Sequence, residues 1–251
     1  MKSPEVLFVA WQEPDSRRIL PVARLLKHNG DYEFAYINAV EVATRLGFQP
    51  LLSFPDLSTV YNTTELPPLF TNRLMPKSRP DFSGYITELG LTAEQAEPFA
   101  VLARSEGRRA TDSLEIFSAP LPCADGYEGF FLARGVRHLP NCEEALKSVA
   151  PGDGLYVMGD VQNESNAGAL LLRTATKHVV GYFPDHLANE LHDAHADLLT
   201  FRVTVSRINP PPAPTVHRLL CHFTCPPELG TQLYRGPRYH PRSTKATQFA
   251  A

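Results

Sequence analysis

The segment from Gly126 to Leu187 constrains the fold of this 251-residue chain more than any other. Its most informative part, Gly152 to Leu191, reads GDGLYVMGDVQNESNAGALLLRTATKHVVGYFPDHLANEL. Three short β-type runs, Leu155 to Met158, Ala169 to Arg173 and His178 to Tyr182, are interrupted by an Asp/Asn/Ser/Gly segment too polar for a core. Runs of this length bounded by turn formers predict a small twisted or barrel-like sheet, with residues 160–168 as a long loop at its rim. Ordered loops on rigid sheets are where binding groups tend to sit.

The flanks extend this pattern. Tyr127 to Gly135 reads as a strand, Cys142 to Val149 as a short helix, and Pro151-Gly152-Asp153-Gly154 as a tight turn into the three strands. A helix starting near Pro184 places Leu187, Leu191 and Ala194 on one face. Phe201 to Ile208 alternates apolar and polar residues, so one face of that strand is solvated. The proline-rich run 209–214 is a stiff connector between strands, and residues 226–251 are a tail of turn formers.

These residues resemble a HIRAN domain, a small β-barrel module found at the front of some DNA-remodelling helicases and in stand-alone bacterial proteins. The resemblance rests on a strand ending in Gly135-Val136-Arg137-His138, on Asp160-Val161-Gln162-Asn163 leading towards Ala169-Leu170-Leu171-Leu172, and on Gly181-Tyr182-Phe183-Pro184 opening a helix. It covers residues 127–207, and it implies a HIRAN/OB-like barrel with short helices that binds single-stranded DNA or DNA ends.

The first 120 residues start as strands: Glu5 to Trp11, Ile19 to Leu25, and Tyr32 to Ile37 after a His28-Asn29-Gly30-Asp31 turn. Asn-Gly between two such runs is a strong hairpin signal. Asn38 with Glu41, and Gly47 beyond them, predict a capped helix over 38–47. Glu65 to Leu74, Pro80 to Leu89 and Thr92 to Arg104 read as helices, the last with a Thr92/Gln95 capping box, and Thr111 to Phe117 returns to strand.

The order PVARL, YEFAYI, PLLSFPDL, LPPLFTNRLMPKSRPDF, then LARSEGRRATDSLEIF resembles the amino-terminal subdomain of HipA-type toxin kinases over residues 5–118. In that family the subdomain packs on a kinase core, and a free-standing version can act as an antitoxin. This chain has no glycine-rich phosphate loop, no H-x-D catalytic loop and no matching metal motif, so a phosphotransferase is not expected. The resemblance implies a kinase-like protein partner, with Leu69, Phe70 and Leu74 as the apolar surface that would meet it.

Composition adds bounds. A hydrophobic content of 43% supports one large or two modest cores, and two is the expectation. The net charge of -3 argues against coating nucleic acid non-specifically while leaving room for a local basic site. No apolar run is long enough to span a bilayer, and MKSPEVLFVAW lacks signal-peptide features, so a cytoplasmic location is expected. Cys221 and Cys225 lie four apart on a strand, roughly 13 Å along it, and read as buried free thiols. The histidines of 178–195 offer no familiar ligand spacing, and no nucleophile elbow is present. No metal, cofactor or catalytic residue is expected.

Arg137 and His138, taken alone, read as a surface charge and a satisfied histidine. The resemblance gives them another role: a forked guanidinium on a phosphate and a ring against a base. It also assigns Asp160, Asn163, Ser165, Asn166, Lys177 and Tyr182 to the same interface, although Asp160 and Asn163 suit turn formation equally and Tyr182 suits packing on the rim. The family's loop motif reads approximately D-P-x-N-P-Y-D-x-N-A. Here the stacking aromatic is Ser165, the carboxylate beside it is Asn166, the later asparagine is Gly168, the prolines are Val161 and Glu164, and a helix lysine is Asp185. The tail's Tyr234, Arg235, Arg238, Tyr239, His240, Arg242 and Lys245 have a composition suited either to a phosphate backbone or to an exposed disordered end.

The sequence therefore predicts an α+β, β-rich, two-domain protein: residues 1–120 HipA-like, 121–225 a HIRAN-like barrel, and 226–251 a tail. Its leading function is non-enzymatic binding of single-stranded DNA or DNA ends. The alternative is an interaction regulator, an antitoxin-like partner of a HipA-type kinase.

Overall fold

The computed structural model describes residues 3, 5–163 and 166–247. The fold is β-rich, with two antiparallel sheets, and the chain divides into two compact units. The first unit holds residues 5–82, 93–119 and 234–247; the second holds 83–92 and 120–233.

The first unit contains β1 (Val6–Gln12), β2 (Ile19–His28), β3 (Asp31–Tyr36), α1 (Val40–Arg45), β4 (Tyr61–Thr63), α2 (Pro68–Thr71), the start of α3 (Phe82–Glu88), α4 (Pro98–Ser105) and β5 (Leu114–Phe117). Its sheet runs β4-β3-β2-β1-β5. The β2–β3 hairpin closes on His28 and Asp31, with Asn29 at φ 51° and Gly30 at φ 92°. Two successive positive φ values define the primed turn that matches strand twist, which is why Asn-Gly stands there.

One face of this sheet packs Leu7, Val9, Val22, Leu25, Phe34 and Tyr36 against Phe70 of α2 and against Phe99 and Leu102 of α4. Phe34 stacks on Phe54 at 3.7 Å between centroids. Tyr36 donates its hydroxyl proton to the Phe54 carbonyl (2.7 Å) and accepts from the Leu51 amide (2.8 Å), which shapes the loop after α1.

Two expected helix starts differ. α1 begins at Val40 without a side-chain cap, because the Asn38 amide instead donates to the Pro237 carbonyl. α4 begins at Pro98, beyond the expected Thr92/Gln95 box: a proline at the first helical position needs no amide hydrogen.

The expected tail is folded from Pro226 to Thr247. Residues 226–233 belong to the second unit, and Tyr234 onward covers the other face of the first sheet. Tyr234 and Tyr239 contact Phe8 at 5.9 and 5.1 Å, and Tyr234 meets Phe117 at 5.1 Å. The Arg242 amide donates to Tyr36 O, and the Thr247 amide and hydroxyl donate to the buried Glu33 carboxylate. Glu33 also pairs with the buried Arg24 at 3.2 Å. β1 is thus buried on both faces, as its unbroken apolar run requires.

The second unit contains the rest of α3, β6 (Leu121–Cys123), β7 (Gly126–Leu132), α5 (Cys142–Lys147), β8 (Gly154–Gly159), β9 (Leu170–Arg173), β10 (Val179–Tyr182), α6 (Asp185–Asp193), β11 (Arg202–Ile208), β12 (Leu219–Cys225) and α7 (Pro227–Gly230). The sheet order is β10-β9-β8-β11-β12-β7-β6. At the expected domain boundary, residues 121–126 form a strand and hairpin turn, with Leu121 paired to Glu128. The expected closed barrel is not formed by a strand ladder. Instead a single bridge, in which Arg134 and Tyr182 exchange both backbone hydrogen bonds, joins the end of β7's segment to β10.

The core packs Phe131, Phe183, Phe201 and Phe223 in a row, with centroid separations of 4.8 to 5.9 Å between successive rings. Leu187 and Leu191 of α6 close it. Residues 83–92, expected in the first domain, lie here because Asn209 Nδ2 donates to Glu88 O (2.9 Å) and His217 Nδ1 meets the Glu88 carboxylate at 2.9 Å. Cys221 and Cys225 are buried free thiols on β12. Burial raises the Cys225 thiol to about 11 and pushes Cys221 up further.

Candidate nucleic-acid interface

Gly135 organises one end of the second sheet. Its φ of 69° lies in the left-handed region, and a Cβ there would fall 2.9 Å from the Tyr182 ring. Only glycine satisfies both demands. The chain then turns through a single 3₁₀ turn, Val136–His138, whose Val136 is buried and whose Arg137 and His138 are exposed. Arg137 Nε donates to His138 Nε2 at 2.8 Å, leaving the terminal guanidinium nitrogens without an ion pair among the described residues.

Tyr182, the last residue of β10, lies against this turn. Its backbone is bridged to Arg134, its ring rests on Gly135, and its hydroxyl donates to Asp160 Oδ2 at 2.9 Å. Burial first, and then the hydrogen bond and charge of Asp160, raise the Tyr182 hydroxyl above the ordinary tyrosine value. The phenol therefore stays a donor at neutral pH.

The rim loop starts at Asp160, which caps the end of β8. Its Oδ1 accepts from the Gln162 amide at 3.3 Å and its Oδ2 lies 3.4 Å from Asn163 Nδ2. Asn163 Oδ1 accepts from the Asn166 amide at 2.9 Å, and Asn166 Oδ1 accepts from the Gly168 amide at 2.9 Å. Asn166 Nδ2 donates to Asp185 Oδ1 on α6 at 3.1 Å. Asp160, Asn163 and Asn166 are thus committed to shaping the loop. His192 Nε2, 2.9 Å from the Gly168 carbonyl oxygen, ties the loop to α6, a role that nothing in the sequence signals.

Of the eight residues assigned from the sequence, Arg137, His138, Asp160, Asn163, Asn166 and Tyr182 come together at this end. Ser165 lies outside the described residues. Lys177 is a correction: it sits at φ 70° in the β9–β10 turn, at the opposite end of the hairpin from Tyr182. β10 alone separates the two by roughly 10 Å at a strand's rise per residue.

The expected apolar partner surface is corrected as well. Phe70 is fully buried against Phe34, and Leu69 and Leu74 pack partly buried on the same core. Phe70, the one aromatic of the four-residue helix Pro68–Thr71, is thus core and not surface. The tail's basic and aromatic residues are also placed: Tyr234 and Tyr239 are buried, and Arg242 pairs with Glu41 at 2.6 Å. Among the described residues, no group of three or more His, Cys, Asp or Glu could hold a metal ion, and no helix is long and apolar enough to cross a membrane.

No protein-family model and no curated protein matches this chain. Two solved structures are similar to part of it. One is a protein from Lactobacillus plantarum, 14% identical, covering 38% of this chain and 87% of that one with a TM-score of 0.30. The other is the HIRAN domain of human HLTF, 16% identical, covering 42% of this chain and 80% of that one with a TM-score of 0.30.

Proposed function

We propose that this chain is a non-enzymatic DNA-binding protein whose second unit holds a single strand, or a DNA end, at the Gly135–Tyr182 rim. The observation that carries this reading is the pairing of an exposed Arg137-His138 turn with the Tyr182 ring across a glycine. Arg137 supplies a forked guanidinium for a phosphate, while His138 and Tyr182 supply rings for the terminal base. The loop carboxylate and amides act indirectly, by fixing the rim.

Binding is weak and salt-sensitive in this reading, because one guanidinium neutralises few phosphates and two carboxylates, Asp160 of the loop and Asp185 of α6, flank the loop. The antitoxin-like alternative has less support, since of the three residues on which it rested Phe70 faces the core and Leu69 and Leu74 are half-buried.

Fluorescence anisotropy with a short labelled single strand at two salt concentrations tests the proposal. Arg137→Ala should weaken binding at low salt, and a strand ending in a free 3′-hydroxyl should outcompete its 3′-phosphorylated form. Wild-type protein that binds neither strand at low salt would refute it.

A further inference from the structure

The outward face of the second sheet carries a group of side chains that the rim does not use. On β8, Leu155 points into the core while Tyr156 and Met158 point out, 57% and 41% exposed. Tyr156 pairs across to Arg173 of β9, and Met158 pairs with Leu171, which in turn pairs with Tyr182 of β10. On the other side, Val203 of β11 pairs with Leu155. The exposed Arg202 is the next residue of β11, beyond its last pair with β8, and it pairs with Thr224 of β12. An exposed tyrosine is therefore paired with one arginine, a second exposed arginine stands on the neighbouring strand β11, and the next outward row, Met158–Leu171–Tyr182, includes the rim tyrosine.

Both arginines lack acidic partners among the described residues. The Arg173 guanidinium lies over the Tyr156 ring, 5.8 Å from its centroid, and its Nε is buried with no hydrogen-bond partner. In the register Arg202–Thr224–Glu128, the Glu128 carboxylate is held by His222 at 2.9 Å. A solvated sheet face is ordinarily polar. A tyrosine carrying a guanidinium, beside a second unpaired guanidinium, instead suits alternating bases and phosphates, because every base offers a π-face and every linkage a negative charge.

We propose that this face is a second contact for single-stranded DNA and takes the nucleotides leading away from the rim. Tyr156 is the stacking platform, and Arg173 and Arg202 are the phosphate contacts. The inference rests on the reading of the rim as a strand-end site and adds a path: strand spacing and rise place Tyr156 about 12 Å from Tyr182, on the same face.

The test compares labelled strands of about four and about twelve nucleotides, lengths within the range a small barrel-like domain accommodates. Wild-type protein should bind the longer strand at least about tenfold more tightly, the gain from one added stacked base. Tyr156→Ala and Arg173→Gln should each reduce that advantage without altering the short strand, and Tyr156→Phe should preserve it. Arg202→Gln should lower the salt slope for the longer strand by about 0.7, the share of one single-strand phosphate. Tyr156 and Arg202 are exposed, so thermal unfolding of their variants should match wild type.

Equal affinity for the two lengths, or variants that bind the longer strand as wild type does, would overturn the inference and mark the face as a surface for something other than DNA. A long strand bound through Tyr156 with Arg137→Ala silent would sink the rim reading while supporting the face. Binding of neither strand overturns both.

Discussion

Tyr182 and Asp160 join the end of β10 to the start of the rim loop through a 2.9 Å hydrogen bond between the phenol and Oδ2. The bond divides the work of one side chain, since its hydroxyl fixes the loop while its ring stays beside Gly135 and the Arg137 turn. Tyr182→Phe should therefore cost about 0.5–1.5 kcal/mol of stability and leave strand affinity near wild type. Tyr182→Ala should additionally lose about 1–3 kcal/mol of binding. The raised phenol value sets the sign of the pH effect. The bond's contribution is complete below the pH at which an unfolded tyrosine ionises, and it is lost as pH rises through the folded value. Chemical unfolding above about pH 10, the ordinary tyrosine value, should thus show wild type converging on Tyr182→Phe.

Asn166 and Asp185 join the rim loop to α6 through a 3.1 Å hydrogen bond from Nδ2 to Oδ1. An aspartate at 166 would keep the acceptor for the Gly168 amide but turn the 3.1 Å amide–carboxylate bond into two facing carboxylates. Asn166→Asp should cost about 1–3 kcal/mol at neutral pH. One carboxyl of the new pair should titrate well above its ordinary range, so the loss should shrink as pH falls through that value. Asp185→Asn in the same chain should restore stability, and any gain in affinity for a free 3′-hydroxyl should appear only in this double variant. Urea unfolding at about pH 5 and about pH 8, with anisotropy on the same proteins, checks both.

How much of this is legible in the sequence varies with the range of the interaction concerned. The Asn29-Gly30 hairpin and the three strands of 155–182 follow from local turn chemistry and alternation and stand close to their expected places, whereas the strand expected to run to Gly135 ends at Leu132 and Val136–His138 form a 3₁₀ turn. Lys177 is misplaced because sequence proximity to β10 does not say which end of the hairpin a turn residue occupies. Phe70 is expected at a surface only through the kinase-subdomain resemblance, and in place of the helix expected over Glu65 to Leu74 the chain forms only Pro68–Thr71, with Phe70 turned inward. Thr92 and Gln95 have capping chemistry, but Pro98 offers the helix a start that leaves no amide unsatisfied. The cover on the first sheet does have a signal: Val6 to Ala10 is apolar without alternation, which a strand with one solvated face does not show. Nothing local says that residues 234–247 supply that cover.

That cover makes the last prediction. If the tail were a solvated end, a chain stopped after Leu233 would unfold as the full protein does. In the fold, Tyr234 and Tyr239 are buried against Phe8, and Thr247 donates twice to the Glu33 carboxylate beneath it. Removing residues 234–251 should strip two buried rings, worth roughly 3–6 kcal/mol at about 1.5–3 each. It should also leave the Arg24–Glu33 pair facing solvent on a bared apolar sheet. Native-state hydrogen exchange should then show β1, β2 and β3 losing protection while β11 and β12 of the second unit keep theirs. A single substitution separates the polar contribution: Glu33→Gln keeps the shape but gives up the charge that Arg24 and Thr247 both address. It should cost less than the deletion and should bring forward the exchange of the Thr247 amide before that of the strand cores.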